Sequence, residues 1–379
     1  MPPAVDDLDL SQAVGYHYDK FPPKDINALR IVKPLSAAAS ALARYDQMLK
    51  GMHNSEILLA PLRNQEAVVS SRMEGTISTL EEVLRYEADK EEGDGTDDHR
   101  YRSEAIEVYL YSRALTSAQE SLQDGAPLSP HLLRSAHRML LSFGRGAAAS
   151  PGQFKTEQNY LADRGRKRVL FVPIKPEFLN DGLEKLFAFI ADDQWEILIR
   201  TALAHLEFEA LHPFKDGNGR IGRMLITLML WKYQAISAPH FYISGFFDER
   251  RDEYIDRMRD VSATGNWTDW VVFFLEAVEQ QAMKNLAQAE AIRNLYEGMK
   301  ETFRDLLSSQ WSTTALDFLF SRPIFRNNVF TGRSGVPSQT AHRFTRILAE
   351  QGLIQTLEPA SGRRPALYSF EPLLALVRD

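Results

Sequence analysis

The chain has 379 residues, of which 44% are hydrophobic and 25% charged, and a formal net charge of −7. That length accommodates two or three domains, the composition is that of an ordinary soluble globular protein, and the negative balance argues against nucleic-acid or anionic-membrane binding by the surface as a whole. The absence of cysteine excludes a disulfide framework and thiol chemistry, and no apolar run approaches the roughly 20 residues needed to span a bilayer.

Taken in chain order, residues 1 to about 50 read as an arm leading into helices. Its first residues, MPPAVDDLDLSQ, lack the basic-then-apolar pattern of a signal peptide, so a cytoplasmic location is expected. Within 51–87 lies Ser70-Ser71-Arg72-Met73-Glu74-Gly75. Gln65–Ser71 is compatible with a helix, and Gly75 is placed to end it. Lys90–His99 (KEEGDGTDDH) reads as a solvated acidic loop. Helical patterns run from about 101 to 142, and Gly144–Gly152 is a small-residue connection. Gln158–Pro173 holds two strand-like runs around Asp163-Arg164-Gly165, the pattern of a hairpin. Ile197–Leu211 has helical spacing, and so does Arg220–Trp231. Ala282–Leu307 reads as a long linking helix. In the separable last segment, Thr313–Phe320 and Ser338–Gln351 read as helices, with Ser338 as N-cap. Leu353–Leu357 and Ala366–Phe370 read as short strands around Glu358–Pro365. There is no internal repeat.

Between the helical runs at 197–211 and 220–231 stands His212-Pro213-Phe214-Lys215-Asp216-Gly217-Asn218-Gly219-Arg220-Ile221-Gly222-Arg223. Its residue types suit the handling of a phosphate ester. Glycines allow close backbone approach and positive φ. A helix starting at Gly-Asn-Gly presents free N–H groups and the positive end of its dipole to an anion. Arg220 and Arg223, three apart, share a helix face and offer planar donor forks to phosphate oxygens. Asp216 suits Mg²⁺ held jointly with nucleotide phosphates. His212, with an ordinary pKa of about 6.5, can act as a neutral base. His205 lies seven residues before His212, but no third metal ligand has suitable spacing, so it reads as core. Tyr254 and Trp270 are aromatic residues on helical patterns and read as core or as the border of a ligand site.

This segment resembles the signature of the Fic family, His-Pro-Phe-x-Asp/Glu-Gly-Asn-Gly-Arg-x-x-Arg, and fills every fixed position. AHLEFEAL before it, Asp248–Asp256 and Gly265–Phe274 extend the likeness. The resemblance implies a mainly α fold: a Fic-type helical bundle with a β-hairpin flap. It also implies AMP transfer from ATP, with Mg²⁺, to a Ser, Thr or Tyr hydroxyl of a target protein or of the chain itself. In that reading His212 takes the hydroxyl proton and Asp216 holds Mg²⁺. Gly217, Asn218 and Gly219 cradle phosphates, with the Asn218 side chain assisting, and Arg220 and Arg223 bind the β- and γ-phosphates. Phe214 anchors the loop in the core. Ser70–Gly75 resembles the family's inhibitory pattern, Ser/Thr-x-x-x-Glu-Gly/Asn, which implies that Ser70, Glu74 and Gly75 form a latch in which Glu74 pairs with Arg223. Gln158–Pro173 resembles the flap that docks the target by strand addition, with Asn159, Tyr160, Val169, Leu170 and Phe171 as docking residues. The family usually has Arg just before this hairpin; here Phe154-Lys155 stands there.

The last segment resembles a small winged helix-turn-helix domain. Arg322, Arg326, Arg333, Arg343, Arg346, Arg363, Arg364 and Arg378 stand against Asp317, Glu350, Glu358, Glu371 and Asp379, a local balance of +3. Arg343, Arg346, Arg363 and Arg364 are candidates for DNA phosphates, against packing on a protein surface. The expected organisation is therefore an N-terminal helical region with the inhibitory motif (1–100), a catalytic core (101–285), a linking helix (286–310) and the winged-helix segment (311–379). A homodimer is a further candidate assembly. Three alternatives accompany AMP transfer: removal of AMP by the same site, transfer of another nucleotide or phosphoryl group, and a DNA-binding regulator with a nucleotide-sensing domain.

Overall fold

The computed structural model describes residues 9–52, 54–92, 101–163 and 168–378. The chain divides into two compact units, one of residues 1–43 and 113–283, the other of 44–112 and 284–379. Residues 1–100 are thus not a region of their own. The linking helix is also not separate: α11 runs without a break over Trp267–Leu307, about 60 Å at 1.5 Å per residue, and the expected boundary at 285 falls inside it.

The first unit is built around α7 (Ile197–Leu211) and α8 (Asn218–Lys232). In α8 every residue from Asn218 to Leu230 is buried, as expected of a helix that carries apolar residues all round. At Gly222 α8 lies close against α7: a Cβ there would stand 3.1 Å from Phe208 Cδ1 and would displace the end of the Glu209 side chain. Glu196 starts α7 by accepting from the N–H groups of Leu198 (2.8 Å) and Ile199 (3.1 Å), satisfying two of the four donors that a helix start leaves open. α6 (Leu179–Ala191) packs on the other side of α7. α10 (Arg251–Thr264) ends at Gly265 (φ +81°), and the start of α11 supplies Trp270 and Phe274, both fully buried beside His205.

The expected hairpin forms from β2 (Leu161–Asp163) and β3 (Arg168–Val172), antiparallel; Arg164 and Gly165, two of the three expected turn residues, lie outside the described residues. The arm adds β1 (Val14–Gly15), parallel to β3 with Val14 opposite Phe171. The sheet order is β1-β3-β2. The arm is then pinned to α7: His17 Nε2 lies 2.8 Å from Glu207 Oε2, His17 Nδ1 2.8 Å from Ser262 Oγ, and the Tyr16 hydroxyl donates to Glu207 Oε1 at 2.6 Å.

The second unit joins α2 (Ser55–Met73) and α3 (Leu80–Glu92) to the C-terminal segment. Lys90–Glu92, expected in a loop, continue α3, where Lys90 Nζ sits 5.3 Å from the centre of the Tyr86 ring one turn earlier; residues 93–99 of that stretch lie outside the described residues. The C-terminal segment runs α12 (Ser312–Ser321), β4 (Ile324–Arg326), α13 (Asn327–Arg333), α14 (Ser338–Glu350), β5 (Gln355–Glu358), β6 (Leu367–Ser369) and α15 (Glu371–Val377), with sheet order β4-β6-β5. β4, α13 and α15 are additions to the sequence reading. α12 packs on α2, and β4 against α3.

Four arginines of this segment pair with acidic residues of α3. Arg326 is fully buried; its Nε meets Asp89 of α3 at 2.7 Å and its Nη2 meets Glu358 at 2.6 Å. Arg322 pairs with Glu91 at 2.7 Å, and Arg378 lies 3.5 Å from Glu81. Arg364, a candidate phosphate contact, is instead 2.6 Å from Asp89. Among the described residues, no helix is long and apolar enough to cross a membrane.

Candidate functional site

The twelve-residue motif forms the turn from α7 into α8. α7 ends on His212, which takes a left-handed conformation (φ 46°, ψ 61°). That region costs energy for any residue with a Cβ, although histidine enters it more readily than most. The ring Nδ1 faces the Glu209 carbonyl at 3.3 Å. A carbonyl only accepts, so Nδ1 carries the hydrogen, and in the neutral ring Nε2 is the basic nitrogen.

Phe214 is fully buried, its ring stacked on His137 with centroids 3.8 Å apart and planes 7° from parallel. Asn218 closes the turn. Its Oδ1 accepts from Phe214 N–H and its Nδ2 donates to the Phe214 carbonyl, both at 2.8 Å. These hydrogen bonds tie the Asn218 side chain to the loop and use one of the two Nδ2 hydrogens.

Gly217 caps α8 with φ +78°, a conformation suited to glycine. The N–H groups of Asn218, Gly219 and Arg220 follow it, with no helical carbonyl one turn earlier to receive them. Arg220 is 3% exposed, and its Nε and Nη1 have no hydrogen-bond partner among the described residues. A buried guanidinium with open donors beside a helix N-terminus is a site prepared for an anion. Arg223 is also buried, one turn on.

Asp216 is exposed, and its Oδ1 accepts from Gly217 N–H at 2.7 Å. Among the described residues no group of three or more His, Asp or Glu side chains could hold a metal ion. One exposed carboxylate fits Mg²⁺, which is held by one or two carboxylates together with substrate phosphates.

Three residues outside the motif hold it. His137 is fully buried on α5 (Pro130–Leu140). Its Nδ1 accepts from Gly152 N–H at 2.8 Å, so Nε2 carries the hydrogen and donates to the Asp216 carbonyl at 2.9 Å. Burial pushes its pKa down to about 4, so the ring is neutral at physiological pH. Lys155, also buried, has its pKa lowered to about 7 by the same cause. Its Nζ donates to the Leu211 carbonyl (3.0 Å) and to Asn159 Oδ1 (2.8 Å), and its N–H to the Pro213 carbonyl (2.8 Å). Asn159 Nδ2 donates to the carbonyls of His212 and Phe214, each at 3.0 Å.

Asn159 therefore does not face a target, because its amide is spent on the motif loop. Val169 and Phe171 are buried, and β3 lies between β1 and β2, so the strand carrying Val169, Leu170 and Phe171 has no open edge for addition. Among the described residues, the outer edge of β2, next to Tyr160, carries no further strand. His205 is core, as expected: its Nδ1 donates to the Gly222 carbonyl (3.1 Å) and its Nε2 accepts from the Tyr254 hydroxyl (2.8 Å). Trp270 is fully buried and donates to the Ala202 carbonyl at 2.8 Å.

His137 went unrecognised in the sequence, although a signal was present. It continues the apolar face of Leu133, Ala136 and Leu140 at helical spacing, and a histidine in that register must find partners inside.

The inhibitory motif closes α2 in the second unit. Gly75 has φ +82°, its N–H donates to the Arg72 carbonyl (2.9 Å), and Thr76 N–H donates to the Ser71 carbonyl (3.0 Å). These two bonds form a Schellman motif, with Gly75 as the left-handed residue just past the helix end. Glu74 stands at the C-cap, and Ser70 is fully buried.

Residues 32–120 match the Fic/DOC family N-terminal description and residues 127–230 the Fic/DOC family description, together just over half of the chain. The chain is 31% identical over 99 residues to the protein adenylyltransferase fic-1 of Caenorhabditis elegans, 25% of this chain and 18% of that one. It is 26% identical over 138 residues to the uridine 5′-monophosphate transferase of Xanthomonas campestris pv. campestris, 31% of this chain and 23% of that one. The match thus spans about a fifth of the length of these relatives. A crystal structure of a Fic family protein from Desulfovibrio desulfuricans G20 shares the fold, with a TM-score of 0.56 and 19% identity over 92% of this chain and 98% of that one.

Proposed function

The chain belongs to the Fic/DOC family, and we propose that it is a protein adenylyltransferase, moving AMP from ATP to a Ser, Thr or Tyr hydroxyl of a target protein or of itself. The observation that carries this reading is Arg220: a buried guanidinium with two open nitrogens at the start of α8, four residues from Asp216 and eight from a histidine whose tautomer leaves Nε2 basic.

In this reading His212 Nε2 takes the proton of the target hydroxyl. The hydroxyl oxygen bonds to the α-phosphorus as the bond from that phosphorus to the bridging oxygen breaks, and pyrophosphate leaves. The N–H groups at the start of α8, together with Arg220 and Arg223, hold the phosphates, so catalysis is positioning and charge stabilisation. Mg²⁺ would sit on Asp216 and the nucleotide phosphates, neutralising charge on the leaving group. Intact-mass and peptide spectra of the protein incubated with ATP and Mg²⁺ test the proposal: a hydroxyl residue gains one AMP, and His212→Ala does not.

Inhibition is part of the proposal. Glu74, fixed at the end of α2 by Gly75, pairs with Arg223 and keeps it from the γ-phosphate. The partial match to a protein named uridine 5′-monophosphate transferase supports a second reading, in which the same phosphate site takes UTP. The helix, strand, helix, helix, hairpin order of the C-terminal segment supports the winged-helix reading. Of the four arginines proposed to meet DNA phosphates, Arg343, Arg346 and Arg363 are exposed.

A further inference from the structure

The turn from α7 to α8 has a backbone problem that its own sequence does not solve. From Leu211 to Asp216 the chain passes out of one helix and has not entered the next, so its carbonyls lack helical partners. Five of the six are met by residues from elsewhere in the chain. Lys155 Nζ reaches Leu211, Asn159 Nδ2 reaches His212 and Phe214, Lys155 N–H reaches Pro213, and His137 Nε2 reaches Asp216. Asn159 is fully committed: both amide hydrogens go to carbonyls flanking Pro213, and its oxygen accepts from Lys155. That pattern leaves one orientation for the amide, because the opposite flip would set an oxygen against two carbonyls.

The residue at the centre of this clamp is His212, whose φ of 46° persists only where the surroundings over-determine it. We infer that Lys155 and Asn159 are positioning residues for His212: Asn159 grips the carbonyls on either side of Pro213, and Lys155 locks the Asn159 amide in place. Neither touches the nucleotide or the hydroxyl. What the pair needs is donors in the right places, which a guanidinium at position 155 also supplies. The inference rests on the reading of His212 as base. It replaces target docking as the role of Asn159.

The test compares Asn159→Ala, Asn159→Asp, Lys155→Met and Lys155→Arg in the Glu74→Gly background. Two readouts are used: AMP-transfer kinetics, and the imidazole NMR signals of His212, assigned by their loss in His212→Ala. A base misplaced by about an ångström costs on the order of 100-fold in rate. Asn159→Ala and Asn159→Asp are expected to lower kcat by about that factor, leave KM for ATP within about twofold, and shift or broaden the His212 signals. Lys155→Met is expected to do the same more weakly, and Lys155→Arg to retain both rate and signals. Unchanged His212 signals and kcat in a folded Asn159→Ala protein overturn the inference, as does a rise in KM for ATP with kcat intact. If Asn159→Ala does not fold, Lys155→Met against Lys155→Arg decides it: equal kcat and equal His212 signals sink it. Absence of AMP transfer in the background protein itself would refute the functional reading, while the NMR comparison would still report on the clamp.

Discussion

The Nδ2 of Asn159 donates to the carbonyl of His212 at 3.0 Å and so holds a histidine whose backbone is left-handed. The proposed base is thus fixed by a side chain 53 residues earlier in the chain, while its own ring hydrogen bond to Glu209 sets the tautomer. Chemistry and geometry at His212 are separable, and variants can address each.

His212→Ala removes the base and leaves the phosphate site intact. Transfer is expected to fall by at least about 100-fold, the usual contribution of a positioned base, with ATP affinity nearly unchanged. Single-turnover rates and equilibrium nucleotide binding, measured on the same preparation, check both halves.

Arg220→Ala has the opposite signature. Its charge-assisted hydrogen bonds to phosphate are worth about 2 kcal/mol, or roughly 30-fold in nucleotide affinity. Calorimetric titration with ATP and Mg²⁺ should show that loss. An affinity equal to that of the wild type would mean that the open guanidinium nitrogens of Arg220 do not meet the nucleotide.

Glu74→Gly is expected to raise auto-modification by about tenfold or more, equivalent to releasing a contact of roughly 1.4 kcal/mol. Replacing Arg223 in the same background should abolish the gain, since Arg223 is proposed to serve both the latch and the γ-phosphate. Modification no faster in Glu74→Gly than in the wild type removes the latch from the account.

The phosphate motif was readable in the sequence because its parts are covalent neighbours: base, carboxylate, glycines and arginines follow one another along a single turn. Its supports were not, because His137, Lys155 and Asn159 reach it through tertiary contacts from 53 to 79 residues away. The surroundings of Asn159 and Phe171 are hidden for related reasons. The hairpin was legible, but β1, only two residues long, gave no pattern of its own and occupies the edge of β3 that a target strand would need. The grouping of α2 and α3 with the C-terminal segment was equally hidden. It depends on contacts such as Asp89 with Arg326, 237 residues apart. That pairing is one of four that join arginines of the last segment to acidic residues of α3.

Asp89 with Arg326 yields a stability prediction. Burial alone would raise the Asp89 carboxyl, but hydrogen bonds from Arg326 and Tyr101, with the charges of Arg326 and Arg364, outweigh it and hold the pKa below the ordinary carboxylate value. A group depressed in the folded state contributes stability that is present above its unfolded pKa, near 4, and lost as pH falls through the lower folded value. Urea unfolding of the full chain should therefore weaken below about pH 4, and Asp89→Asn should remove that component. Arg326→Ala, which leaves Asp89 and Glu358 without their buried partner, should cost about 3 kcal/mol at neutral pH.

The bond broken in the nucleotide identifies the reaction. ATP labelled at the α- or the γ-phosphate is offered, with Mg²⁺, to the Glu74→Gly chain, and label retained on protein is counted after denaturation, with UTP labelled at the α-phosphate as the parallel donor. AMP transfer predicts retention of the α-label from ATP, none of the γ-label, and loss of all retention in His212→Ala. Retention of the γ-label alone would contradict it.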